Sequence, residues 1–339
     1  MRRNNIVLLL IIIAFLGGCK SKNNVVPLLI YNDADPYMEE FRDNILERTP
    51  DEYSIEAYDS QNSQIIQNEF IENLLKEEPP VMIINPVDRL GAYTIVLKAK
   101  EVNVPVIFIN REPLEEDLYL WDQVYYVGAP AERSAELQSE IIMELFGDSN
   151  ALGVNDLNGD NIIQVILLKG EQGHQDAETR TEVVMNELET NGYEVEILVI
   201  EIANWKTSEG YEAMMELLPI YGEQLELVIS NNDAMAIGAI QALMELEYFQ
   251  DLDNDGFIDH ETEPWIPVVG IDGITEALEL ITSGYLYGTV INDSESMAEA
   301  IIELTTAIIN GDDVNTISYI LIDNKYIWVD YKKYVLDEN

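Results

Sequence analysis

Two stretches of this chain place side-chain oxygens at alternate positions. In Asp156-Leu157-Asn158-Gly159-Asp160-Asn161-Ile162-Ile163-Gln164 they fall at positions 1, 3, 5 and 9. That spacing opens an EF-hand loop, in which alternate residues turn inward to a hard cation such as calcium. Asn161 stands where glycine usually makes the sharp turn, a mild departure because asparagine tolerates the left-handed conformation. Position 12 is Leu167, so a closing carboxylate must come from elsewhere. The second stretch puts Asp251, Asp253, Asp255 and Asp259 at the same four positions, with Gly256 at 6, Phe257 at 7 and Ile258 at 8. As a bare pattern it is the stronger of the two. Its last ligand is open: Thr262 holds position 12, between Glu261 and Glu263. Without an ion, either loop is an acidic, Asx-rich turn.

Other chemistry is scarce. No Cys cluster, His-Glu-x-x-His, Walker A or strand-to-helix Gly-x-Gly-x-x-Gly is present, and His174 and His260 are the only histidines. Asp and Asn residues instead follow apolar runs: Asp35 after 25–31, Asn110 after 104–109, Asn231-Asn232-Asp233 after 226–230, and Asp272 after 267–271. Paired carboxylates such as Asp35 and Asp272 can serve a glycosidase. The same residues can equally hydrogen-bond a ligand at strand ends.

The elements that must position these residues are short Val/Ile/Leu runs at 25–31, 81–85, 104–109, 124–127, 164–169, 195–200, 226–230, 267–271 and 287–291. Most are continuously apolar, as strands covered on both faces are. Amphipathic stretches separate them; in 131–146, Leu137, Ile141, Ile142 and Leu145 share one helical face. The alternation predicts an α/β protein with parallel sheets. The two halves echo each other, Val104-Pro105-Val106-Ile107-Phe108-Ile109-Asn110 against Ile266-Pro267-Val268-Val269-Gly270-Ile271-Asp272. Two doubly wound parallel-sheet domains are expected, with ligand groups at facing strand ends. A length of 339 residues suits two domains.

The chain carries 18 Lys+Arg against 64 Asp+Glu, a formal charge of −46. With no basic patch, it repels phosphates, and nucleic acid is excluded as a partner. Cys19 is the only cysteine, so no intrachain disulfide forms. It closes a leader: basic MRRNN, then the eleven-residue apolar run 6–16, then Leu16-Gly17-Gly18-Cys19. The run is short for a membrane span and fits a signal peptide. Its end resembles a bacterial lipobox, which implies cleavage after residue 18 and lipidation of Cys19, with 19–24 as a tether. The protein is then expected on the outer face of the cell membrane, held by acyl chains alone.

The segment Leu167–Thr181, LLKGEQGHQDAETRT, resembles the bacterial periplasmic galactose/glucose-binding proteins, which carry a very similar segment directly after a calcium loop. Further similarities follow in order at 85–88, 104–113, 125–128, 231–239, 270–272, 288–293 and 322–325, so the resemblance spans nearly the whole chain after the leader. It implies the type I periplasmic binding protein fold, with two lobes joined by a three-strand hinge. The lobes would be 25–129 plus 293–326 and 130–292 plus 327–339, with crossings near 128–131, 291–294 and 325–327. Matched position by position, the implied sugar contacts are Asp35, Asn110, His174, Asp176, Arg180, Asn232, Asp272 and Asn292. Trp205 and Tyr37 would sandwich the pyranose, Tyr37 standing where the family has Phe. The implied calcium ligands are Asp156, Asn158, Asp160, the Ile162 carbonyl, Gln164 and the distant Glu226. The family has glycine at the position of Asn161. The loop 251–263 looks like an insertion, and its set of Asp251, Asp253, Asp255, Phe257 and Asp259 rests on spacing alone.

The resemblance implies a lipid-anchored, monomeric solute-binding protein, not an enzyme. It would capture D-galactose, D-glucose or a methyl-galactoside between its lobes and deliver it to an ABC permease. A sugar carrier for a chemoreceptor or sensor kinase, or a binder of another monosaccharide, is the alternative. One structural calcium is expected, and a second if loop 251–263 is a site. A sugar-responsive repressor of the same fold would need an N-terminal helix-turn-helix, for which residues 1–24 have no room.

Overall fold

The computed structural model describes residues 24–336; the leader, the Cys19 lipidation site and most of the tether lie outside these residues. The chain builds two six-stranded sheets in succession. The first holds β1 (Val25–Ile30), β2 (Ser54–Asp59), β3 (Met82–Ile84), β4 (Val106–Ile109) and β5 (Val124–Gly128). Between and after them run α1 (Pro36–Glu47), α2 (Gln64–Leu74), α3 (Ala92–Glu101) and the single turn α4 (Glu115–Leu118). After α5 (Ala131–Phe146) the second sheet takes β6 (Ile163–Lys169), β7 (Val195–Ile202), β8 (Leu227–Ser230), β9 (Val268–Val269) and β10 (Gly288–Ile291). Its helices are α6 (Gln175–Thr190), α7 (Thr207–Tyr221), α8 (Asp233–Glu245) and α9 (Thr275–Thr282). Helix α10 (Ser294–Asn310) then returns to pack on α1, before β11 (Tyr326–Trp328) and β12 (Lys332–Val335).

The strand orders are β11-β5-β4-β3-β1-β2 and β12-β10-β9-β8-β6-β7. Each contains the doubly wound 2-1-3-4-5 order with one extra edge strand. β11 adds parallel to β5, and β12 antiparallel to β10. Continuous apolar runs are buried along their whole length in β4, β6 and β8, because helices cover both faces. Three strands escape a search for apolar runs: β2 (SIEAYD), β11 and β12. All three lie at sheet edges; β2 and β12 are largely open to water and need not be apolar, whereas β11 is apolar and mostly buried but only three residues long.

The chain passes between the sheets after β5, after β10, and after β11. The third crossing differs from the expected 325–327. Lys325 and Val329 still belong to the first sheet, Tyr126 N donating to Lys325 O at 2.8 Å and Val329 N to Gly128 O at 2.9 Å. The Tyr326 and Trp328 rings stack 5.4 Å apart beside Tyr126 and hold β11 in place through Trp328. The crossing is therefore at 329–331, and residues 327–328 join the first lobe.

Candidate functional site

The carboxyl ends of the two sets of parallel strands face each other, and a cavity of about 40 Å3 lies between them. Asp35 enters it as the N-cap of α1, accepting from Tyr37 N at 3.0 Å and Met38 N at 3.3 Å. The Tyr31 hydroxyl donates to its other oxygen. Burial still pushes the Asp35 carboxyl up, against the pull of those bonds. Asn110 follows β4 with φ of +60°, its carbonyl held by the Tyr126 hydroxyl at 2.7 Å. Tyr126 lies across Gly128, where a Cβ would fall 2.1 Å from its hydroxyl; that glycine makes room for the ring.

The second lobe supplies most of the remaining groups. His174 is the N-cap of α6, and its Nδ1 accepts from Asp176 N at 3.2 Å. Burial, helped by Arg111 and Arg180, pushes its pKa down to about 4. The ring is thus neutral, with its proton on Nε2. Arg180, one turn along, donates to Asn231 O at 2.7 Å and to the Tyr331 hydroxyl at 3.1 Å. Burial opposes its charge, but Tyr331, Asp272 and Asp176 outweigh that and keep it protonated. Trp205 follows β7 and lies flat over Gly170, where a Cβ would fall 2.2 Å from the indole. The His174 ring meets it edge-on at 5.3 Å. Asn232 caps α8 through Met235 N at 3.0 Å and donates to Trp205 O at 3.3 Å. Asp272 lies 3.9 Å from Arg180 Nη1, its carboxyl raised well above the usual range by burial.

Nine of the ten sequence-derived sugar residues line this one cavity. The tenth, Asn292, sits behind Asp272 and bonds to its carboxyl. Sequence reasoning did not select Tyr31, Met38 and Arg111, which also line the cavity, nor Tyr331. Arg111 lies inside a segment that carries the resemblance and directly follows Asn110, so position alone could have flagged it. Tyr331 lies on the third crossing and has no motif. Asp233 was seen only as part of a strand end. It accepts from Thr289 Oγ1 and Gly273 N, both at 2.6 Å, and so fixes the turn carrying Asp272. Burial raises its pKa to about 6.

Several polar atoms at this site are buried with no partner among the described residues: the Tyr37 hydroxyl, Arg180 Nε, Trp205 Nε1 and Asn292 Oδ1. Folded proteins rarely leave such atoms unpaired. Donors and acceptors are both represented, next to two aromatic rings. That combination fits an uncharged ring rich in hydroxyl groups.

The two acidic loops form on one template. In the first, Asp156 accepts from Gly159 N and Asn161 N at 2.8 and 3.0 Å, Asn158 from Asp160 N at 2.8 Å, and Asp160 from Ile162 N at 2.9 Å. Glu226, at the start of β8, reaches Leu157 N at 2.6 Å and Gln164 N at 3.3 Å. In the second, Asp251 accepts from Asn254 N and Gly256 N at 2.6 and 2.9 Å, and Asp255 from Phe257 N at 2.8 Å. Here Glu263 is the closing group, accepting from Leu252 N at 2.5 Å and Asp259 N at 3.0 Å. Oxygens of Asp251, Asp253 and Glu263 lie within 4.8 Å of one another. Asp259, included by spacing, turns away: its carboxylate accepts from Glu261 N and the Thr262 hydroxyl. Glu263 takes its place.

A sequence profile described as a periplasmic binding protein domain matches residues 26–313. The chain belongs to that family. Within it, the chain is 37% identical to the D-galactose/methyl-galactoside binding periplasmic protein MglB of Haemophilus influenzae, over 75% of this chain and 71% of the relative. It is 28% identical to a putative rhizopine-binding protein of Rhizobium meliloti, over 80% of each. Among solved structures, an ABC transporter solute binding protein from Bacillus halodurans with bound myo-inositol superposes with a TM-score of 0.72. It is 25% identical, over 94% of this chain and 96% of that one. Periplasmic binding proteins are binders and not enzymes, so Asp35 and Asp272 are not a hydrolytic pair. Among the described residues no helix is long and apolar enough to cross a membrane.

Proposed function

We propose that this protein captures a single hexose, D-galactose or D-glucose, between its lobes and presents it to an ABC permease. The unpaired Tyr37, Arg180, Trp205 and Asn292 atoms around Asp272 carry this reading. Each hydroxyl of a hexose is both donor and acceptor. Carboxylates and a guanidinium make the stronger of these bonds, and the apolar faces of the pyranose stack on Tyr37 and Trp205. A neutral His174 donates from Nε2. Asp35, Tyr37 and Asn110 come from the first lobe and the remaining groups from the second, so the sugar favours the closed form by touching both. The 37% identical MglB, which binds galactose, supports the same ligand class. The Bacillus protein with myo-inositol shows that this fold also accommodates a different polyol ring.

The reading extends to calcium. Asp156, Asn158, Asp160, the Ile162 carbonyl, Gln164 and Glu226 would hold one ion. Asp251, Asp253, Asp255, the Phe257 carbonyl and Glu263 would hold a second. Both sets are all-oxygen and carry at least three carboxylates, as this ion prefers. An ion supplies a cross-link within the fold and takes no part in sugar binding. The chain would be a monomer, tethered outside the membrane by a lipidated Cys19.

Calorimetric titration in calcium buffer tests the sugar assignment. One-to-one saturation by either hexose is expected, and its loss in Asp176→Ala and Trp205→Ala. Absence of heat with both hexoses, with saturation by myo-inositol or a pentose instead, would move the assignment to another polyol. Mass spectrometry of the membrane-extracted protein tests Cys19; an unmodified thiol or an uncleaved leader overturns the anchor.

A further inference from the structure

A polar contact joins the lobes outside the sugar cavity. Glu40 lies on α1, which Asp35 caps in the first lobe, and its Oε1 accepts from Thr275 N of the second lobe at 2.9 Å. Thr275 is the first residue of α9 and stands three positions after Asp272. The contact therefore ties the helix that follows one cavity carboxylate to the helix that follows the other. Neither Glu40 nor Thr275 lines the cavity.

Helix α9 lacks an acceptor of its own at that amide. Its N-cap is Ile274, whose apolar side chain cannot cap. Asp233 accepts from Gly273 N at 2.6 Å and from Ile274 N at 3.2 Å, both within the second lobe. The next amide, Thr275 N, takes its carboxylate from the first lobe. A carboxylate suits this place, because the bond is charge-assisted and the helix dipole favours negative charge. Hinge opening leaves the Asp233 bonds intact and parts Glu40 from Thr275. Arg111 to Glu171 and Gln175 to Glu112 also cross the cleft, each at the longer distance of 3.5 Å. Arg111 lines the cavity, and Gln175 directly follows His174, so changes there also disturb the sugar contacts. The Glu40 bond can be removed without touching them.

We infer that Glu40 is a positioning residue for sugar capture: it caps α9 across the cleft when the lobes are closed, and so raises the affinity for every sugar the site takes by one common factor. The factor is common because the bond reaches no sugar atom and acts only on the balance between open and closed lobes. The bond is open to water, so the factor is modest, about fivefold. The inference rests on the reading that a sugar is held between the lobes, and not on which sugar it is.

The test is calorimetric titration with D-galactose, D-glucose, D-ribose and myo-inositol of the parent protein, Glu40→Ala, Thr275→Pro and the double variant. Proline lacks the amide hydrogen and is well suited to a first helical position. Ile274 before it, at φ −66° and ψ 154°, already has the extended backbone that proline requires. Each single variant should weaken every sugar that the parent binds by about fivefold, with the ratios between sugars unchanged. The double variant should match the singles, because all three remove the same bond. The loss should show in stopped-flow as faster release of sugar. Melting temperatures without sugar should equal the parent's, since the bond belongs to the closed form; that result also reports that the variants fold. Three results overturn the inference. Glu40→Ala may leave every affinity as it was. The loss may differ several-fold from one sugar to another, which would put Glu40 in contact with the ligand. The two single losses may multiply in the double variant, which would mean that they do not share a bond. If the parent binds none of the four ligands, the sugar reading itself falls and takes the role of Glu40 with it.

Discussion

The two acidic loops share a backbone pattern and differ in what closes them. In both, the first Asp accepts from the amides at positions 4 and 6, and a glutamate accepts from the amides at positions 2 and 9. Positions 4 and 6 both have positive φ, filled by Gly159 and Asn161 in one loop and by Asn254 and Gly256 in the other. The glycine and asparagine have exchanged places, so either order satisfies the same turn. The closing carboxylate is where they part. Glu226 arrives from β8, which pairs with the β6 strand that leaves the loop. Glu263 arrives from the loop's own far end. The first loop is therefore stitched to the central sheet of its lobe. The second takes its closing carboxylate from within the excursion between α8 and β9, and reaches the rest of its lobe through Ile258, which is buried in the core and whose N donates to Ser283 O at 3.0 Å. The same local chemistry predicts different consequences for the whole fold.

The largest expected effect is at Glu226. Glu226→Ala removes an acceptor from Leu157 N, Asn158 N and Gln164 N, together with the proposed ion. At about 1 kcal/mol for each bond and several more for ion linkage, the melting temperature should fall by about 10 °C. Chelation with EGTA should then shift it little further from this site. Glu263→Ala comes next. It should abolish calcium binding by its own loop yet lower the melting temperature by only about 2 °C, because Glu263 accepts only from Leu252 N and Asp259 N of the same loop and ties it to no strand. Thermal unfolding of each variant, with and without EGTA, checks both. Equal shifts would mean that the origin of the carboxylate does not matter and would end the distinction.

The legibility of these features follows the same line between local and distant. Strands such as VIFI and IQVILLK announce themselves because both faces are buried. The edge strands SIEAYD and KKYV do not, because exposure removes the apolar signal, and YIW, though apolar and mostly buried, is only three residues long. The sites divide likewise. Asp35, Asn110, Asn232 and Asp272 stand at strand ends, where one-dimensional pattern and three-dimensional position coincide. Glu226 has no local cue as a candidate ligand and was reached only through resemblance. Glu263 was one of two flanking candidates; its carboxylate gathers with Asp251 and Asp253, whereas Asp259, which spacing selected, bonds into its own Asx turn. Tyr331 reaches Arg180 from 151 positions away. No spacing rule contains such a contact, because it depends on how the last crossing strand lies between the lobes.

The smallest expected effects are at the exchanged pair, and they test whether the two loops are one template. Asn161 does more than tolerate a φ of +64°: its side chain accepts from Leu152 N and donates to Ser149 O, both at 3.0 Å. Asn161→Gly relaxes the turn but discards two hydrogen bonds, a net cost of about 1 kcal/mol, or a melting shift of roughly 3 °C. Gly256 has a φ of +88° and nothing within 4 Å of a Cβ built on it. Gly256→Asn therefore meets no steric conflict and carries only the modest left-handed penalty of asparagine, below about 1 kcal/mol. Its melting temperature should stay within about 2 °C of the parent. Both variants should retain calcium at their loops, since neither substitution removes an oxygen ligand. The ranking is the informative result. If Asn161→Gly stabilises the protein while Gly256→Asn damages it, position 6 needs glycine in both loops. Asn161 would then be a tolerated defect, not a tie between its loop and 149–152.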